Sequence, residues 1–262
     1  TDFIIDTGLG KDRYIRAVET MPSAAARAAV HHVVTSLVQE QEIDASYLSE
    51  YAVGKDVEVF PAGTGRRVKA NARLRVNVHD HPTGHALTDR MQIGLFLYPD
   101  TFVPEHEVTA LTVGLLLLDD ALDIPANSTA THHASALLTR PARLMSFQPH
   151  MHRRGKSMSI EAVLPNGTVL PLGAVDRYDF GTQTAYVYDE ATSPIVPAGT
   201  VLHSTAFYDN TSSNRSNPDP DQWVGFGNRT IDEMFQCHVL LVYLSQEEYR
   251  AMTATSKTIH HN

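Results

Sequence analysis

The sequence predicts an all-β protein built from β-sandwiches, on three observations. Short apolar or alternating segments recur along the chain, and their length and their content of Val, Leu and Tyr favour strands over helices. Clusters of Pro, Gly, Asn and Thr separate these segments and are typical of turns. The 262 residues exceed the usual size of a single domain, which favours two domains. Many short strands joined by such turns indicate sandwiches.

The predicted strands extend from the first third of the sequence to its end. Examples are Val30 to Val38, Ala72 to Val78, Met91 to Leu97, Thr112 to Leu118, Ser157 to Leu164, Thr200 to Phe207 and Cys237 to Leu244. A segment with two prolines, at 98–105, separates the first group of strands from the second, so we predict domains at residues 1–104 and 105–262. Ser23 to Val30 and Gln246 to Thr253 could be helical.

The composition disfavours several classes of partner. The 21 Lys and Arg against 30 Asp and Glu give a net charge of −9, whereas nucleic acid and anionic membranes require a basic face. We find no run of about 18 apolar residues that would span a membrane. The single cysteine, Cys237, excludes an intrachain disulfide and a thiolate-rich zinc module. Because the chain begins at Thr1 without a signal-peptide pattern, we expect a processed form or an excised fragment.

Two histidines separated by one residue, His150 and His152, form the first candidate metal site. On a strand both imidazoles would point to the same face, where they could bind one metal ion. Met234, between a polar turn and an apolar strand, is the candidate third ligand. A thioether beside two imidazoles is a soft, mixed set that favours copper over zinc or magnesium. The neighbouring Asp232 and Glu233 are expected to be solvated.

Three other histidines form the second candidate site. His31 and His32 begin one strand-like segment, and His79 ends another. Three imidazoles would suit copper, and zinc could also use them with one open position. Adjacent residues of a regular strand face opposite sides, so His31 and His32 could share a metal only at an irregular strand end or with suitably turned rings.

The order of these motifs along nearly the whole chain is the more specific observation. The motifs are Val30-His31-His32-Val33, Pro61-Ala62-Gly63-Thr64-Gly65 with Val76-Asn77-Val78-His79, Val113 to Leu118, Ile124-Pro125-Ala126, His150-Met151-His152 with Gly155-Lys156, and Asp232-Glu233-Met234. This order resembles the copper type II, ascorbate-dependent monooxygenases, the family of peptidylglycine α-hydroxylating monooxygenase and dopamine β-monooxygenase. Three further segments resemble its bacterial branch: Arg177-Tyr178-Asp179-Phe180, Tyr208-Asp209-Asn210 and Asn217-Pro218-Asp219-Pro220.

The resemblance implies two consecutive antiparallel β-sandwiches of jelly-roll type, each with one copper facing a solvent cleft. It implies that the copper at His150, His152 and Met234 binds O2 and oxidises a substrate C–H bond. The copper at His31, His32 and His79 would supply an electron, and an external reductant such as ascorbate would be the co-substrate. The bacterial relatives also lead us to expect a periplasmic or extracellular location.

Three positions near the second copper depart from the peptide-amidating members and are our candidate substrate contacts. Gln148 stands where those members place an arginine for the peptide carboxylate, so a charged fork is missing. Gln236 and His238 stand where they use Asn and Tyr. We therefore do not expect a peptide amidase.

The sequence leaves three functions open. The first is a copper-dependent monooxygenase that hydroxylates an unidentified small or peptide-like molecule. The second is a periplasmic copper carrier or electron-transfer module that has the ligands without a substrate pocket. The third is a hydrolytic or structural zinc protein built on the same histidines, against which Met234 argues.

Overall fold

A computed structural model describes residues 1–39, 46–52, 55, 57–80, 83–115 and 122–259 of the chain. These residues form seventeen β-strands and one helix, which confirms the predicted all-β, sandwich-type fold. The chain divides into two compact units, Thr1–Ala110 and Leu111–Asn262. The predicted domain boundary at 104/105 lies six residues before this division.

The first unit has two groups of strands. Its strands are β1 (Asp2–Asp6), β2 (Arg13–Met21), β3 (Val30–Val38), β4 (Ser46–Ala52), β5 (Val57–Val59), β6 (Thr64–Val68), β7 (Arg73–Asp80), β8 (Gln92–Leu97) and the beginning of β9 (His106–Leu115). One sheet has the order β1-β7-β3-β4. In the other group, β5, β6 and β8 all pair antiparallel with β2, and β6 pairs parallel with the first residues of β9.

Alternation along β7 shows how the sequence directs one face of the first sheet inward. Leu74, Val76 and Val78 are buried, whereas Arg73 and Arg75 between them are exposed. This period of two is what a half-buried strand requires, and it places apolar side chains in the core.

The second unit also contains two groups of strands. Its elements are the end of β9, then β10 (Thr129–Leu137), β11 (Ala142–His150), β12 (Gly155–Val163), β13 (Val169–Val175), β14 (Tyr186–Val187), β15 (Ile195–Val196), β16 (Val201–Asp209), β17 (Phe235–Tyr243) and α1 (Gln246–Ile259). One sheet has the order β10-β16-β12-β13. In the other group β11 lies between β14 and β17, β15 also pairs with β11, and β17 neighbours β9.

The core of the second unit is formed by both sheets. Leu144 and Phe147 of β11 pack in one hydrophobic cluster with Ile160 of β12, Leu202 of β16 and Leu241 of β17. Close backbone approach is required where β9 passes β17, because a Cβ added at Gly114 would lie 2.1 Å from the carbonyl oxygen of Phe235. Glycine is the residue that permits this contact.

The two candidate helices had different outcomes. The prediction at 246–253 is confirmed by α1, in which Ser245 caps the first turn by accepting the Glu248 N–H at 3.2 Å. Residues 24–29 instead form turns. Residues 116–118 of the predicted strand Thr112 to Leu118 lie outside the described residues. In the part of the chain that the structure describes, no helix has the length and apolarity needed to cross a membrane.

Candidate metal centres

His150 and His152 lie at the end of β11 and in the turn that follows it. Both side chains are buried, and their ring centroids are 5.5 Å apart with the rings nearly perpendicular. β11 itself is buried along almost its whole length, so this pair of imidazoles is held at the end of a rigid core strand.

Hydrogen bonds fix which nitrogen of each ring carries the proton. Nδ1 of His150 donates to the side-chain oxygen of Gln183 at 2.7 Å, and Nδ1 of His152 donates to the carbonyl oxygen of Asp232 at 3.1 Å. Because both partners are oxygen acceptors, Nδ1 is the protonated nitrogen and Nε2 bears the lone pair. An acceptor on one ring nitrogen and a lone pair on the other is the usual arrangement of a metal-binding histidine.

Glu233 connects the segment of Met234 to the turn of His152. Its carboxylate oxygens accept the backbone N–H groups of His152 at 2.8 Å and of Arg154 at 2.5 Å. Our expectation that Glu233 is solvated is wrong, since the side chain is fully buried. Burial raises the pKa of its carboxyl group to about 7, although the two backbone hydrogen bonds act in the opposite direction.

Met234 follows Glu233 directly and precedes β17. It is buried, and its carbonyl oxygen accepts a hydrogen bond from the Tyr208 hydroxyl at 2.7 Å. Since Glu233 is bonded to the backbone of His152, the chain brings Met234 to the same end of the second unit as the two imidazoles.

The turn after His152 is held by Arg154, a residue that the sequence interpretation missed. Only 1% of this side chain is exposed. Its guanidinium donates to the side-chain oxygen of Asn210 at 2.7 Å, to the carbonyl of Ile231 at 2.9 Å and to that of Asp219 at 3.2 Å. Isolated arginines are rarely buried, so a guanidinium with three oxygen acceptors marks a structural anchor.

The candidate substrate contacts lie beside His150 on the paired strands β11 and β17. Gln148 is directly opposite His238, and His150 is directly opposite Gln236. Residues two apart on a strand face the same side, so the four positions share one face. Nδ1 of His238 also lies 2.9 Å from the Thr112 hydroxyl, and the centroids of His150 and His238 are 6.4 Å apart.

An opening of about 330 Å³ borders His152. Its lining includes three cationic residues, Arg153, Lys156 and Arg215, together with the aromatic rings of Tyr178 and Phe180. The ring of Phe180 meets that of His152 edge to face, with centroids 5.4 Å apart. This opening gives small molecules a place to lie next to a candidate ligand.

In the first unit, an irregularity of β3 brings His31 and His32 together. The pairing of β3 with β7 shifts register between Val30 and His32, so one strand holds an extra residue there. The Nδ1 atoms of His31 and His32 are 2.9 Å apart. Two nitrogen lone pairs at this distance repel each other unless a proton or a cation lies between them. If both nitrogens lay about 2.0 Å from one metal ion, the N–metal–N angle would be roughly a right angle.

His79 lies directly opposite His32 in the β3–β7 pair. Their rings are stacked, with centroids 4.0 Å apart and planes inclined by 26°. Nε2 of His79 donates a hydrogen bond to the side-chain oxygen of Asn77. A lone pair lies in the plane of its ring, so stacked rings do not yet direct their lone pairs at one point.

The donor sets fit copper in chemistry, and the two sites differ in how complete their geometry is. Among the described residues, no group of three or more His, Cys, Asp or Glu side chains is arranged to hold a metal ion. In the second unit the candidate set is two imidazoles and a thioether, and both imidazoles have the required tautomer. In the first unit His79 must turn its ring away from His32 to join the other two.

No family model and no curated protein matches the chain. Among solved structures, the major capsid protein P2 of bacteriophage PM2 covers 94% of this chain and 99% of its own, with 10% identity and a TM-score of 0.40. A serine protease of Aeromonas sobria covers 54% of this chain, which spans only 28% of the protease, with 14% identity and a TM-score of 0.28. The match to the VP2 subviral particle of infectious bursal disease virus covers 89% of this chain and 58% of the viral chain, with 12% identity and a TM-score of 0.27.

Proposed function

We propose that the protein is a copper-dependent monooxygenase that hydroxylates a C–H bond of a small or peptide-like molecule, using O2 and an external reductant such as ascorbate. The observation that supports this most is the pair of oxygen acceptors, Gln183 and the Asp232 carbonyl, that receive the Nδ1 protons of His150 and His152, as the acceptors of metal-binding histidines do. The proposal includes a periplasmic or extracellular location.

His150, His152 and Met234 would hold the copper of the second unit, and His31, His32 and His79 that of the first. Bound copper would supply O2 activation at the former set and one-electron redox chemistry at both. Gln183 and Glu233 keep the ligands in place, the first through the ring of His150 and the second through the backbone of His152.

The substrate would lie against the face that carries Gln148, Gln236 and His238. These side chains offer amide and imidazole hydrogen bonds and no guanidinium, so a substrate would be oriented by neutral polar groups. The absence of an arginine at position 148 argues against recognition of a peptide carboxylate by a bidentate pair there.

A copper carrier or electron-transfer module is the second candidate. The stacking of the His79 ring on that of His32 favours it, because the first unit then has imidazole donors suited to copper without a complete arranged set of three. A zinc protein is the third candidate, and the thioether of Met234 favours it least.

O2 uptake distinguishes these functions. Copper-loaded protein would be mixed with ascorbate and a pool of small amines and short peptides, while O2 uptake, peroxide release and substrate masses are recorded. A monooxygenase consumes more O2 than it releases as peroxide, adds one oxygen atom to a pool member, and loses both properties in His152→Ala. A carrier gives O2 uptake fully accounted for by peroxide, and a zinc protein is indifferent to ascorbate.

A further inference from the structure

A cavity of about 990 Å³ lies within the first unit, between its two groups of strands. Fourteen of its 21 lining residues are apolar. Pockets that bind small molecules typically measure about 300–1,000 Å³ and combine apolar walls with a few polar groups, so this cavity has the size and composition of a binding site for a large apolar ligand.

Every second residue of two facing strands forms the walls. These residues are Leu74, Val76 and Val78 of β7 and Ile93, Leu95 and Leu97 of β8. The β7 side chains are buried, but those of β8 are only half-buried, and Phe3 and Ile5 on the adjacent β1 are 52% and 46% exposed. Closely packed interiors leave few voids larger than a water molecule, so the sandwich is unfilled along this edge.

Residues 83–91, which precede β8, border the cavity. Four alternate residues, Thr83, His85, Leu87 and Asp89, all line it. Alternate residues of an extended chain point to the same side. Three of these four, Thr83, His85 and Asp89, are polar, so they place polar groups beside the apolar interior. The cavity is therefore lined by β7 and β8 and has polar groups at its border.

Two carboxylates lie at the same end of this cavity. Asp80 pairs with Val30 across the β7–β3 ladder. Asp89 accepts the backbone N–H of Ser23 at 2.8 Å, and Ser23 is tied to Val30 through successive hydrogen bonds at Ala26. Both carboxylates border the apolar interior near Val30.

The charge of the lining selects the head group of a ligand. Among the described lining residues, Asp6, Asp80 and Asp89 stand against one arginine, Arg90, and one histidine, His85, and the whole chain has a net charge of −9. Such a field disfavours an anionic ligand and favours a cationic one. We propose that the cavity binds a cationic amphiphile, with its alkyl chain between β7 and β8 and its ammonium group at the end marked by Asp80 and Asp89.

A displacement experiment on the metal-free protein tests this proposal independently of copper. Nile red reports occupancy of the cavity, and dodecylamine or dodecanoate is added below its micelle concentration at neutral pH. We expect dodecylamine to displace the dye at concentrations about tenfold lower than dodecanoate, the effect of one charge–charge contact near a protein surface. Equal displacement, or preference for dodecanoate, would overturn the cationic assignment.

Three variants test where the ligand binds. Leu95→Trp fills the cavity and is expected to abolish dye binding, whereas Val59→Trp, on an exposed side chain that does not line it, leaves binding unchanged. Asp89→Asn keeps an acceptor for the Ser23 N–H, so the fold is retained, and is expected to reduce the preference for dodecylamine severalfold. No dye binding by the wild type, or unchanged binding in Leu95→Trp with an unaltered circular dichroism spectrum, would overturn the cavity as a binding site.

Discussion

The side-chain oxygen of Gln183 accepts a hydrogen bond from Nδ1 of His150 at 2.7 Å across 33 residues of sequence. Gln183 has a positive φ of 35°, which is uncommon for a residue other than glycine, and it is almost completely buried. Its Nε2 has no hydrogen-bond partner among the described residues. A strained backbone and an unpaired buried amide are costly, and both are features of positions retained for a site.

Gln183→Leu is expected to weaken copper binding in the second unit by about 10- to 100-fold, the usual effect of removing a partner that orients a ligand. The leucine cannot accept the Nδ1 proton, so the ring of His150 loses its fixed tautomer. Competition with a Cu(I) chelator measures the change. Gln92→Leu, on the exposed side of β8, is the matched control, and equal affinities for both variants would remove Gln183 from the site.

Arg154→Met is expected to lower the free energy of unfolding by at least about 3 kcal/mol, because it removes the hydrogen bonds of a buried guanidinium to Asn210, Ile231 and Asp219. Arg153→Met is the control one residue away, where the side chain is exposed and a change within about 0.5 kcal/mol is expected. Urea unfolding of the metal-free variants gives both values. Equal stabilities would show that the buried guanidinium does not anchor the turn.

Gly114→Ala is expected to destabilise the protein by about 1–3 kcal/mol, the typical effect of forcing extra atoms into a packed interior. The added methyl group would lie 2.1 Å from the Phe235 carbonyl oxygen, so β9 and β17 must separate. Gly94→Ala is the control, since its nearest atom would be 3.6 Å away. Thermal unfolding compares the two variants, and a Gly114→Ala midpoint equal to that of the wild type would contradict the close approach.

Cys237 is expected to be inert toward thiol reagents in the folded protein. Burial raises the pKa of its thiol to about 12, so the reactive thiolate is almost absent at pH 8. Titration with a chromogenic disulfide reagent should therefore detect no thiol in the native protein and one per chain in denaturant. Rapid reaction in the native state would show that β17 opens at this position.

Strand patterns made most of the long elements predictable. The alternation of β7 and the apolar content of β12, β16 and β17 identify these strands within a few residues, because each carries a strong local pattern. Short or weakly patterned strands such as β5, β14 and β15 were missed, since their pairing is decided by partners elsewhere in the chain.

The sequence singled out the candidate ligands but not the residues around them. His150 and His152 are two residues apart, the spacing that places side chains on the same face of a strand. His31 and His32 are adjacent and would face opposite sides of a regular strand, but the register shift before His32 makes this strand end irregular. Glu233 and Gln183 had no such pattern. Their hydrogen bonds to residues 81 and 33 positions away depend on tertiary packing, which a single sequence does not display.

The decisive measurement is the copper stoichiometry under reducing conditions, with wild type, His79→Ala and Met234→Ala compared by Cu(I) titration. We expect two coppers per wild-type chain, with His79→Ala weakening only the site of the first unit and Met234→Ala only that of the second. One copper or none, unaffected by either substitution, would contradict the ligand assignment and with it the proposed monooxygenase.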